Sequence, residues 1–266
     1  MGSAYSLGAV APLGHTLAES WRACVEGACG ISIRQISAGE NGPEAPFKMP
    51  VAFVPDGMTA KLEADLGRKI GSSLDPFALF ALGAAHEAIR AAGLDRTALA
   101  PAAVVLGHGI GGIHTLEEGY ERMFGRRTWR VHPTTVPRCM VSAPVSAISM
   151  EFGIKGPVFA VGSACSSSGH AIIQAALLLQ SGLAPIAITG GSDAITNPGS
   201  LAAWDMLRAV TPDACRPFSA GRNGMAIGEG GAALVLETED HARARGAKPI
   251  AELAGFGMSS DAFHWT

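Results

Sequence analysis

The sequence predicts a layered α/β fold, and three observations carry that reading. Short apolar runs end at or near glycine. Stretches with helical start and stop signals alternate with them. The composition, 48% hydrophobic and 6% aromatic with 34 glycines in 266 residues, suits closely packed backbone around a substantial core.

Along the chain, Thr16 followed by Glu19 forms a capping-box pattern ahead of a first helix. The stretch "ISAGENGPEAPFKMP", 36–50, is rich in glycine and polar residues and reads as a surface loop. Asp75 then Pro76 place a cap and a first-turn proline before "FALFALGAAHEAIRAAG", which stops at Gly93. Strands are predicted over "AAVVLG" 102–107, "PVFAVG" 157–162, "PIAITG" 185–190, "GAALVLE" 231–237 and "PIAELAGFG" 249–257. Such continuous apolar runs belong to strands covered on both faces, so the sheet is expected to be mostly buried. No low-complexity segment, short-period repeat or internal domain boundary is visible. The closing "GFGMSSDAFHWT" halts in loop-like sequence, as at a cut end.

Charge and cysteine usage exclude several function classes. A formal net charge of −3 and a pI near 6.2 give no basic field, which argues against a nucleic-acid partner outside a local patch. Five cysteines at scattered spacings, without a CxxC pair or a Cys/His cluster, indicate neither a disulfide framework nor a zinc site. A reducing cytoplasm is the expected compartment. The longest apolar stretch, 171–179, is interrupted by Gln174 and is too short for a bilayer. The uncharged start, with Pro12, lacks the basic flank of a signal peptide. No membrane partner is expected.

The chemistry is sought at "VGSACSSSGH", 161–170, where an apolar strand meets the helix "AIIQAALLLQ". A helix starting at Cys165 and running to about Ser181 would be roughly 25 Å long and apolar almost all round, as in the middle of a domain. Its small polar first turn would gather unsatisfied N–H groups and the positive end of the macrodipole around the Cys165 sulfur. That setting favours thiolate, the nucleophilic form. A free cysteine is also among the most buried residue types, so inert packing is the competing reading. Gly169 inside the helix suggests that something packs against the backbone there. His170 lies five positions on, about 140° round the helix from Cys165, which points to a supporting role rather than to a general base.

"GHGIGG", 107–112, satisfies the G-x-G-x-x-G pattern of dinucleotide sites. No acidic residue ends a second strand about 20 residues on, where the sequence reads "RRTWRVHP", so these glycines are read as room for close backbone approach.

Four segments, "SLGAVAPLGHTLAESWRACVEGACGI" 6–31, "GPVFAVGSACSSSGHAI" 156–172, "ACRPFSAGRNGMAIGEGGAALVLE" 214–237 and "GAKPIAELAGFGMSSDAFHWT" 246–266, resemble the β-ketoacyl-acyl-carrier-protein synthases of the type II class. The resemblance implies a thiolase-like layered α/β fold, α-β-α-β-α in the full enzyme. Residues 1–266 would supply its N-terminal ketoacyl-synthase half, with the crossover at about 240–266. It implies decarboxylative condensation of a malonyl-carrier onto an acyl-cysteine thioester at Cys165. The partners implied are acyl carrier protein, bearing acyl and malonyl groups on phosphopantetheine, and a second copy in a homodimer. No metal or redox cofactor is implied.

Carried over by motif, Ile110 matches a residue lining or gating the acyl pocket, Trp204 a pocket-side aromatic, and Thr266 a threonine that bonds pantetheine. Ordinary packing is the alternative for Ile110 and Trp204. "VHPTTVPRCMVSAPVSAISMEFG", 131–153, matches the region that crosses the dimer interface, with Pro144 where a larger pocket residue might sit or simply as a helix break. The family's two catalytic histidines and lysine lie beyond the matched region, and His264 matches a loop just upstream of them. The chain alone is therefore expected to be incomplete. Two further departures are "RNGM" 222–225 in place of Arg-Asp-Gly-Phe, and a polar start that leaves a first strand expected to be partly missing. A non-catalytic half-synthase that binds carrier protein, and a thiolase-fold acyltransferase or thioesterase, are the competing functions.

Overall fold

The apolar runs form one eight-stranded mixed sheet with helices on both faces. The computed structural model describes residues 2–37, 43, 45–67 and 73–263. Its elements in chain order are β1 (Ser3–Val10), α1 (Leu17–Val25), β2 (Ser32–Ile36), β3 (Phe47–Ala52), α2 (Asp56–Asp65), α3 (Pro76–Ala92) and α4 (Arg96–Leu99). β4 (Ala103–Gly107), α5 (Ile113–Tyr120), a π-helical turn (Glu121–Gly125), α6 (Thr135–Cys139), α7 (Ala143–Phe152), β5 (Val158–Val161) and α8 (Ser167–Gln180) follow. The chain continues through β6 (Ile186–Ala194), α9 (Pro198–Met206), β7 (Ile227–Glu237), α10 (Glu239–Ala244) and β8 (Ala251–Glu252).

β4 runs parallel to both β5 and β6, β6 pairs antiparallel with β7, and β7 takes β1 antiparallel along its other edge. Where β1 ends, β3 joins the first residues of β7 in parallel and carries β2. Period-2 alternation sorts the side chains. Val104, Leu106, Ile186, Ile188, Ala233 and Val235 pack with Leu82, Ala85 and Ile89 of α3. Ala103, Val105, Ala187 and Leu236 pack with Ala171, Ala175 and Leu179 of α8 on the opposite face.

The predicted cover is incomplete at two places. β5 has β4 as its one strand partner among the described residues, so its other edge is open, and its Phe159 is 36% exposed. Along α8, Ser168, Gly169 and Leu177 are exposed, so the helix has an open face instead of lying in the middle of the fold. Nothing approaches the Gly169 Cβ position within 4 Å, contrary to the expected packing there.

The predicted run 249–257 reduces to the two-residue β8, which among the described residues pairs with the start of β1 alone. The polar start nonetheless forms a strand: β1 pairs with β7 from Ser3 opposite Glu237 to Val10 opposite Gly231. Its polar residues are tolerated because the ladder satisfies the backbone, while the buried Ser6 hydroxyl donates to the Ala88 carbonyl at 2.7 Å. The stretch 36–50 is also less loop-like than its composition suggests, since Ile36 closes β2 and Phe47 opens β3. Residues 38–42 and 44 of it lie outside the described residues.

The helix signals hold in part. The Thr16 hydroxyl accepts the Glu19 N–H at 3.2 Å, but Glu19 reaches back to the His15 N–H, also at 3.2 Å. Gly93 ends α3 in the left-handed region at φ 66°. Asp75 stands at the cap of α3 without capping it; its fully buried carboxylate takes the Thr115 N–H and hydroxyl at 2.8 and 2.7 Å and so ties α5 to α3. Buried Glu237, at the end of β7, accepts from His241 Nδ1 at 2.7 Å and from Arg245 Nε at 2.9 Å, while Arg245 Nη1 donates to the Ala92 carbonyl. This pairing anchors α10 on α3.

α3 approaches β1 so closely that a Cβ on Gly8 would sit 2.1 Å from the Ala84 carbonyl oxygen. Gly8→Ala is expected to destabilise the fold by about 2–3 kcal/mol. That is a fall of roughly 4–12 °C in melting temperature. Gly57→Ala, where nothing lies within 4 Å of the added carbon, is the control and should melt at or slightly above the parent temperature by scanning calorimetry.

Candidate active site

The chain leaves β5 and turns into α8 through five residues, 162–166, with Cys165 on the turn. Ala164 adopts φ +52°, a left-handed conformation that reverses the backbone just before the cysteine. α8 begins at Ser167 with Ser166 at the cap, so Cys165 precedes the helix by two residues instead of opening it. The reason lies in the turn's own bonds: Ser166 N–H reaches the Ser163 carbonyl at 3.3 Å and Ser167 N–H the Ala164 carbonyl at 3.1 Å. The outcome for the sulfur is exposure at the helix entrance, not burial in hydrocarbon.

Ser167 holds this turn. Its buried hydroxyl accepts the Ser163 N–H at 2.8 Å and lies 2.6 Å from the Ala164 carbonyl and 3.1 Å from the His108 carbonyl. It thus joins the turn to the loop after β4. The contact needs glycine at 107, where a Cβ would fall 2.1 Å from the Ser167 carbonyl carbon. His170 Nδ1 lies 2.6 Å from the Ser163 hydroxyl, so this imidazole buttresses the turn, in the supporting role that its helical spacing suggests.

Cys165 opens into a groove of about 620 Å³ across the ends of β1, β6 and β7, lined also by Ser168, Ile172, Asp193, Glu229 and Leu234. Glycines 190, 191, 228, 230 and 231 make much of its remaining wall backbone. Asp193 and Glu229 are site residues that sequence reasoning did not single out. The available signal was polar residues continuing past an apolar run, in "GGSDA" after β6's apolar half and in "GEG" at the start of β7. Burial raises the carboxyl pKa of both. Hydrogen bonds oppose that rise, from Gly109 and Ile110 N–H groups at Asp193, and from the Thr196 hydroxyl and the Val54 N–H at Glu229. Buried His108 donates from Nδ1 to the Ser192 carbonyl at 2.7 Å, and desolvation lowers its pKa. Among the described residues no cluster of three or more His, Cys, Asp or Glu side chains is arranged to hold a metal ion.

The other sequence candidates lie apart from the sulfur. Ile110 is 50% exposed on the loop after β4 and is not among the described residues lining the groove. Trp204, on α9, packs against the cluster of Ile36, Met49, Val51, Leu201 and Ile227. Thr266 and His264 lie outside the described residues. Pro144 is buried in the first turn of α7, where its ring fits a helix start and breaks nothing. In "RNGM", the Asn223 amide accepts from the Thr211 hydroxyl at 2.7 Å and donates to Asp213 at 3.3 Å, so the departure builds a local turn.

Comparison with known proteins shows the family and the fold. Nodulation protein E of Rhizobium meliloti (strain 1021) is 45% identical over 205 residues, covering 76% of this chain and 51% of that protein. The 3-oxoacyl-[acyl-carrier-protein] synthase 2 of Vibrio harveyi is 32% identical over 271 residues, covering 98% of this chain and 63% of its own. The chain thus spans between half and two thirds of these curated relatives. A type II polyketide ketosynthase, solved in complex with its acyl-carrier protein, matches at a TM-score of 0.81 and 25% identity, over 99% of this chain and 64% of that one. The fold is accordingly the thiolase-like α/β fold of the ketosynthases. The family model described as beta-ketoacyl synthase, N-terminal domain, matches residues 5–242, and the chain belongs to that family.

Proposed function

We propose that this chain supplies the acyl-accepting half of a carrier-protein-dependent condensing enzyme that elongates acyl chains in the cytoplasm. The observation that carries the reading is the exposed Cys165 sulfur in a left-handed strand-to-helix turn, at the entrance of α8 and on an open groove. The Cys165 thiolate attacks the carbonyl carbon of a carrier-bound acyl thioester, and N–H groups at the helix entrance face the oxygen that gains charge. Collapse of the tetrahedral adduct breaks the bond to the carrier sulfur, which leaves as a thiol after taking a proton. In the second half-reaction a malonyl thioester loses CO₂. Its α-carbon attacks the acyl-cysteine, releasing the Cys165 thiolate and a β-ketoacyl-carrier.

No histidine among the described residues lines the groove, so the donors that stabilise the enolate are assigned to sequence beyond this half. The open face of α8 and the exposed Ala232 of β7 mark where such a half would pack. Dimerisation is part of the proposal. It is supported by the outer edge of β5, unpaired among the described residues, and by Phe124, Trp129, Val136 and Met140, which are exposed between α5 and α7. Retention of Cys165 favours a catalytic chain over a carrier-binding partner without a nucleophile.

Cys165 should react with an octanoyl thioester at least about 10-fold faster than any other cysteine, as read by peptide-mapped mass spectrometry. Cys24 and Cys29 are exposed as well, so exposure alone would label all three alike, and equal labelling would overturn the assignment. The 266-residue chain should also release no CO₂ from malonyl-carrier above the uncatalysed rate. Measurable turnover would place the decarboxylating groups within these residues.

A further inference from the structure

Away from the Cys165 groove, three side chains form a chain of polar contacts: Lys61 of α2, His15 on the loop before α1, and Glu19 of α1. Lys61 Nζ stands 2.6 Å from His15 Nε2, and His15 Nδ1 stands 2.5 Å from Glu19 Oε2. An ionised carboxylate only accepts, so Nδ1 carries the proton in this pairing and Nε2 is left to accept from the lysine. The order amine, imidazole, carboxylate is that of a nucleophile, its base and the group that orients the base.

Packing holds both ends of the chain. The Glu87 carboxylate accepts the Ala9 and Leu17 N–H groups, each at 2.9 Å, and so clamps the loop that carries His15 between β1 and α1. Glu19 takes the His15 backbone N–H as well as its ring. On the other side buried Leu62, the neighbour of Lys61, presses α2 onto α3, where a Cβ at Gly83 would fall 2.5 Å from its Cδ1. Lys61 itself is exposed, and among the described residues its one hydrogen bond goes to His15. Asp65, one turn along α2, forms no ion pair with it, and Glu87 is taken up by backbone N–H groups. Lys61 and His15 open with Leu62, Leu66 and Arg90 into a cavity of about 460 Å³, which shares no described lining residue with the Cys165 groove. That volume lies in the range of small-molecule sites.

We propose that Lys61 is a second acyl-accepting nucleophile of this protein, which His15 activates and a small acyl thioester modifies at Nζ. The site goes beyond the acyl-transfer reading of Cys165 and does not depend on it. An ordinary lysine is almost wholly ammonium at neutral pH and reacts slowly for that reason. Here the ammonium passes one proton to His15 Nε2, and the imidazolium that forms faces the Glu19 carboxylate. The freed amine attacks the thioester carbonyl carbon, a C–N bond forms and the C–S bond breaks. The leaving sulfur takes the second proton from nitrogen, giving a thiol and an amide on Lys61, and His15 returns its proton to water.

The test incubates the whole chain at neutral pH with S-acetyl-N-acetylcysteamine, a small acyl thioester, and follows each lysine by peptide-mapped mass spectrometry. Lys48, Lys155 and Lys248 are exposed as well and serve as references. Lys61 should be acetylated at least about 10-fold faster than each of them, a modest share of what a positioned base contributes. Equal rates overturn the proposal, and this comparison decides by itself should a variant fail to fold. His15→Gln keeps a polar side chain but removes the base, and should bring Lys61 down to the reference rate while the other lysines and the melting temperature stay at parent values. An unchanged Lys61 rate in that variant overturns the role of the imidazole. Cys165→Ala should acetylate at Lys61 as fast as the parent chain. Loss of labelling there would show that the acyl group arrives by way of the cysteine, and direct capture from the thioester falls.

Discussion

The site depends on one steric constraint, the passage of the first turn of α8 directly over the end of β4. No side chain fits between them, which is why position 107 is glycine. Given that approach, the Ser167 hydroxyl can reach the Ser163 N–H and the His108 carbonyl together, and strand, turn and neighbouring loop become one unit. The cysteine is presented by this unit. On the proposed function, a thiol held by packed backbone and a buried hydroxyl loses little freedom on meeting an acyl thioester, which is the condition for efficient attack.

Electrostatics then separate the two ends of the groove. At the helix entrance Cys165 stands exposed, two residues before the first turn of α8. At the ends of β6 and β7, Asp193 and Glu229 carry half-buried carboxyls that accept from backbone and hydroxyl donors. Both belong to strands whose hydrogen bonding fixes them, in contrast to loop residues that could swing toward the sulfur. The sheet therefore contributes fixed polar groups as well as a floor.

Most of the layered architecture was legible in sequence because β4, β6 and β7 sit between α3 and α8, and burial on both faces writes a continuous apolar run. β1, β2 and β3 escaped that signal. β1 interleaves Ser3 and Ser6 with apolar residues, its ladder with β7 being enough to hold it, and β2 is exposed at Ser32 through Gln35. The run 249–257 misled for the opposite reason: it is apolar yet, among the described residues, has only the start of β1 to pair with. The cysteine turn was legible from a strand, small polar residues and an apolar helix in succession. Its fine geometry was not, because the helix start was decided by the left-handed Ala164 and the Ser167 hydroxyl, neither of which leaves a pattern. Asp193 and Glu229 were hidden because their partners are 84 residues and 33 or more residues away, respectively.

The left-handed Ala164 bears on how such a site can drift over generations. A left-handed backbone costs an ordinary L-residue roughly 1–2 kcal/mol, least for small side chains and most for β-branched ones. Position 164 can therefore explore glycine, asparagine or aspartate at modest expense, while valine, isoleucine and threonine are closed to it. On the proposed function, variation in the acyl group accepted has to arise elsewhere around the groove, leaving the residue beside Cys165 among the slowest to change.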